Sequence, residues 1–198
     1  MVMPSAHVAA IRRLQLITIV WMCVEVGVSI YASARAHSMA LLAFGGDSAI
    51  ELLSAFVVLL RFAGTELSER RASRVTAWLL LSLAAFIAMG STVSLLRPSL
   101  RPETSYIGIG LLLIATLIMP WLARQKRKLA AQTSSSSLRA DATQSAVCAY
   151  LAWIALAGLG LNALFHLQWA DPAAALALIP LVLYEAREAW RGYGCACG

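Results

Sequence analysis

The sequence has 198 residues, 60% of them hydrophobic and only 13% charged, with a net charge of +6. A soluble domain carries about twice that charged fraction, while apolar runs of about 20 residues, enough to cross a bilayer core, recur along the whole length. Composition thus leaves no room for a soluble enzyme, and basic residues gathered between apolar runs set membrane orientation rather than bind nucleic acid.

In chain order the pattern predicts an all-α polytopic membrane protein, a single transmembrane domain of six helices over residues 1–198. The first helix spans 11–31. Arg12 and Arg13 ahead of an apolar stretch, and Ala32-Ser33-Ala34 after it, imitate a signal peptide. The length of the stretch and Glu25 within it mark a retained helix instead. A short link with Arg35 and His37 leads to the second helix, 38–62. Glu66 to Arg74 is expected as a loop, followed by the third helix, 75–96. Pro98 and Pro102 fall in one turn, because prolines so closely spaced break a helix. The fourth helix covers 105–123, and Pro120 is expected to end or kink it. A basic run, Arg124 to Lys128, and a polar stretch containing Ser134 to Ser137 lead to the fifth helix, 138–167. Asp171-Pro172 opens the sixth, 172–190, with proline suited to a first turn. A short tail, 191–198, holds Cys195 and Cys197.

The distribution of charge orients these spans. Two Lys or Arg side chains lie in the N-terminal segment, four in the second loop, five in the fourth counting Arg139, and two, Arg187 and Arg191, in the C-terminal segment. The opposite side has only Arg35, Arg97 and Arg101. This asymmetry predicts both termini in the cytoplasm and a multi-pass protein of the cell's inner (cytoplasmic) membrane. Trp121, Trp169 and Trp190 sit near span ends, as interfacial anchors do.

A charge at mid-bilayer costs several kcal/mol, so each one needs a reason. In the second helix Asp47 and Glu51 are four residues apart and share one face. Glu51 lies about 18 Å from the helix start at the usual rise per residue, near the midplane. Two carboxylates so placed repel unless a cation lies between them or one is protonated. A metal ion is the leading occupant, with proton release as the natural coupling. Packing between helices is the plainer alternative. On the fifth helix Asp141, then Gln144 or Ser145, then Cys148 recur at three- and four-residue steps. Asp141 reads as an oxygen ligand or as an acid at a helix start, and Cys148 as a soft ligand or a small buried hydrophobe. Glu25 is a proton-path residue or a packing contact. Asp171 reads as a helix cap, and Glu185 and Glu188 as cytoplasmic-end residues that snorkel or pair with Arg187. His37 and His166 share the outer side. The Cys195-Ala196-Cys197 tail can capture a thiophilic metal or carry two spectator thiols.

These strings resemble the cation diffusion facilitator family. Gly46-Asp47-Ser48 through Glu51 is similar to its D-x-x-x-D signature, Leu138-Arg139-Ala140-Asp141-Ala142 to the opening of its fifth helix, and Trp169-Ala170-Asp171-Pro172 to that of its sixth. The resemblance implies exchange of Zn²⁺ or a related divalent ion for protons by alternating access, in a homodimer. The metal is cargo, with no permanently bound cofactor. It also implies a midplane site of two residues from the second helix, Asp47 and Glu51, and two from the fifth, where Gln144 and Cys148 stand in place of the family's usual H-x-x-x-D. The chain stops soon after the sixth helix, so the implied branch is the short one without a C-terminal cytoplasmic domain. The altered fifth helix supports an alternative, a non-transporting membrane partner that binds metal or regulates a transporter. An enzyme is not expected, since neither H-E-x-x-H nor G-x-S-x-G occurs.

Overall fold

The computed structural model describes residues 5–62, 69–97, 101–133 and 136–191, and every regular element among them is helical. The six helices are α1 (Ser5–Ala36), α2 (Met39–Phe62), α3 (Glu69–Leu96), α4 (Tyr106–Thr133), α5 (Ser136–Phe165) and α6 (Ala170–Trp190). Their number and order match the sequence expectation; several of their ends lie elsewhere. Residues 69–74, expected as loop, form the first turns of α3. Pro120 lies inside α4 without ending it, and the basic run continues the helix to Thr133. Arg, Gln, Lys, Leu and Ala, which fill residues 122–132, are strong helix formers and carry the helix on past the proline. Cys195 and Cys197 lie outside the described residues.

Two histidines stop helices at the end of the bundle opposite the chain termini. His37 follows α1 with φ 53° and His166 follows α5 with φ 55°. That left-handed backbone terminates a helix and turns the chain back.

Consecutive helices pair as α1 on α2 and α4 on α5, and α3 packs along α6. α2 is the most surrounded, meeting α1, α3, α5 and α6, and α5 meets α2, α4 and α6. Large apolar side chains such as Val20, Met89, Leu96 and Leu117 point outward, while Gln15, Glu25, Asp47, Glu51, Lys126 and Asp141 are buried. An apolar exterior around a polar interior suits a lipid solvent. Four helical segments, 9–36, 74–96, 106–133 and 141–165, are each long and apolar enough to cross a membrane.

At the end opposite the termini the first turn of α2 is fastened to other helices. Ser38 precedes the helix, and its Oγ accepts from Leu41 N–H at 3.1 Å, the usual N-cap geometry. The same hydroxyl donates to Asp171 Oδ2 on α6. Asp171 Oδ1 accepts from Met39 N–H at 2.9 Å and Ala40 N–H at 3.3 Å. Asp171 is thus a helix cap, as its sequence position suggests, but it caps α2 rather than its own helix. The connection before α4 is tied to the same end, with Glu103 N–H donating to Ala36 O and Asn162 Nδ2 donating to Pro102 O.

Candidate functional site

Around α2 the buried polar side chains form a column that α1, α4, α5 and α6 complete. Near its middle Ser48 Oγ lies 3.1 Å from Glu25 Oε2 on α1 and 3.9 Å from Cys148 Sγ on α5. Trp21 Nε1 donates to the other Glu25 oxygen at 2.6 Å. Glu25 therefore has a donor for each oxygen, and Cys148 is a fully buried thiol against a hydroxyl.

Toward the termini, one helical turn along α2, Glu51 accepts a hydrogen bond from Ser145 Oγ of α5. Lys126 of α4 enters here. Its ammonium donates to Ser145 Oγ at 2.7 Å and lies 3.6 Å from Glu51 Oε1 and 3.0 Å from Asp141 Oδ2. Gln15 Nε2 of α1 also donates to Asp141 Oδ2, at 2.7 Å. Lys126, Glu51 and Asp141 are all buried, and Lys126 is the only basic side chain buried among the described residues. The sequence pattern puts this lysine in the basic loop ahead of the fifth helix, whereas it lies inside α4. The missed signal is its register: Met119, Leu122, Ala123, Lys126 and Ala130 form one buried stripe along α4.

Glu185 is the second correction. It neither snorkels nor pairs with Arg187; it is buried on the α6 stripe of Leu178, Val182, Ala186 and Ala189. Its carboxyl group lies beside that of Asp47, near enough for the two charges to act on each other. No N–H or O–H group among the described residues reaches any of the four oxygens of this pair. Two acceptor-only groups cannot bond each other, so a shared proton or a cation has to compensate them. Glu188 behaves as an exposed residue and lies 3.6 Å from Arg191.

The expected ligands are therefore divided between two settings. Asp47 faces Glu185, whereas Glu51 and Asp141 converge on Lys126. Gln144 is buried with neither amide atom bonded, and Glu51 Oε2 and Asp141 Oδ1 are also unpartnered. No three His, Cys, Asp or Glu side chains among the described residues stand close enough to cage a metal ion. Instead, a lysine ammonium holds two of the carboxylates that a cation would attract.

A family model for the cation efflux transmembrane domain matches residues 15–191, a span that takes in part of α1 and the whole of α2 through α6. The chain belongs to the cation efflux family. Comparison with curated proteins gives no match. Membership makes the chain a multi-pass cation efflux transporter rather than an enzyme, in agreement with the buried acids on α2.

Proposed function

We propose that the chain exports a divalent cation, Zn²⁺ or a similar ion, in exchange for protons. The observation that carries this reading is the Asp47–Glu185 pair, buried in the bundle without a hydrogen-bond donor. A divalent ion bound there, with Glu51 one turn away, compensates the charge that the protein leaves open. Two protons are the alternative occupants, and exchange between the two loads is the coupling. Family membership supports alternating access of this central site to the two sides of the membrane. In this reading Asp47, Glu51 and Glu185 bind the ion, Gln144 and Cys148 line its approach, and Glu25 belongs to the proton path. The predominance of basic residues beside the termini supports a cytoplasmic-membrane protein with cytoplasmic termini. A homodimer is the proposed assembly.

The test is Zn²⁺ flux into proteoliposomes with an imposed pH gradient, using wild type, Asp47→Asn and Glu185→Gln. Loss of flux in both variants is expected; undiminished flux in both would overturn the assignment. Parallel runs with Cd²⁺ and Mn²⁺ rank the cargo by ligand softness. A second reading, a non-transporting metal-binding or regulatory partner, draws on Gln144 and Cys148 and on the absence of a preformed cage among the described residues. Flux by the purified protein alone decides between the two.

A further inference from the structure

We infer that Lys126 is a tethered cation that competes with the transported ion for Glu51 and withdraws to Asp141 when that ion binds. The inference rests on the cation-export reading and adds a control element to the same site.

The geometry supplies both positions. A single ammonium lies between carboxylates from two different helices, 3.0 Å from Asp141 and 3.6 Å from Glu51, with Ser145 Oγ between it and Glu51. A lysine head on a four-carbon stem is a compact point charge that shifts by a few ångströms without moving its helix. Asp141 is prepared to receive it. Gln15 fixes that carboxylate from α1, and Asp141 Oδ1 is still unpartnered. Glu51 likewise keeps Oε2 free.

Charge accounting gives the arrangement a purpose. A buried carboxylate left without a counter-charge is strongly unfavourable, and removing one partner of a buried pair leaves such a group behind. An empty carrier with a bare Glu51 would face that penalty at each return. Lys126 removes it by standing in for the cargo. A divalent ion arriving at Glu51 repels the ammonium, and Asp141 accepts it, so neither step exposes an unpaired charge. The competition weakens ion binding in the loaded state and speeds release.

The experiment measures Zn²⁺ affinity of the purified full chain in detergent at pH 8, where competition from protons is weakest, together with maximal flux in proteoliposomes. Lys126→Gln is expected to bind Zn²⁺ about tenfold more tightly, within the usual range of site-to-site coupling, yet to turn over more slowly because release loses its competitor. Asp141→Asn is expected to weaken binding severalfold, since the ammonium then has only Glu51 to pair with. In the Lys126→Gln background, Asp141→Asn is expected to have no further effect on affinity. Weakened binding there would make Asp141 a direct ligand and overturn the inference, as would unchanged or weaker affinity in Lys126→Gln alone. If Lys126→Gln does not fold, Lys126→Met takes its place alone and with Asp141→Asn, and unchanged or weaker affinity in Lys126→Met overturns the inference. Wild-type protein that binds none of Zn²⁺, Cd²⁺ or Mn²⁺ would defeat the cation-export reading, and the inference with it. Binding by the wild type without the expected variant pattern defeats the inference alone.

Discussion

Two buried aspartates in this bundle have opposite surroundings. Asp171 receives two backbone N–H groups and a serine hydroxyl. Asp47, on the helix that Asp171 caps, receives no donor among the described residues and faces a second carboxyl group. Burial is nearly complete for both, so depth alone does not separate a structural acid from a functional one. The separating feature is whether the fold supplies the counter-charge. At Asp171 it does, and the group stabilises the far end of α2. At Asp47 it does not, and the cation-export proposal draws on that difference.

Mutation tests this contrast most severely at Asp47. Asp47→Asn is expected to reduce metal flux about 100-fold or more while leaving thermal stability unchanged or raised, because it replaces a buried acid that has no donor. A marked loss of melting temperature with flux retained would erase the distinction between the two aspartates. Asp171→Ala should do the reverse. Stripping Ser38 and two N–H groups of their acceptor costs about 2–4 kcal/mol of stability, measurable by thermal unfolding, while Zn²⁺ affinity of the folded fraction stays within about twofold.

Gly158 sharpens the contrast from the α5 side. A methyl group there would meet Ala174 and come within 3.1 Å of Ala170 O and 3.5 Å of Asp171 Cα. Gly158→Ala should push the first turn of α6 outward and lower stability by about 1–3 kcal/mol, again with little effect on affinity. Ser38→Ala is the mildest test. It removes an N-cap and one of the Asp171 contacts, for about 1 kcal/mol.

The six-helix plan was legible because bilayer thickness imposes a length on apolar runs, and the Asp47/Glu51 pair because a four-residue spacing aligns side chains on a helix. Lys126 and Glu185 were missed for a common reason. Each sits near the end of an apolar run, where a charged residue is normally assigned to the interface. Their register was the better guide, since both continue a stripe of buried residues at three- and four-residue steps. The cap expected of Asp171 falls on α2 and not on its own helix; the partner lies more than 130 positions away in sequence, and no local pattern encodes such a pairing. The division of the acids between Lys126 and Glu185 was equally out of reach, because it depends on which helices stand beside α2.

The cap on α2 has a mechanical consequence. The N-terminal turn of that helix is pinned to α6 by the carboxylate that completes its hydrogen bonding, so sliding along its own axis would strip those N–H groups of their partner. Tilting about the pinned point would not. The helix is in effect a lever with its fulcrum at Ser38 and Asp171, and displacement grows with distance from that end. Glu51 lies about 18 Å along it, so a tilt of about 10° carries its carboxylate about 3 Å. The distance from Lys126 to Glu51 is of that same order.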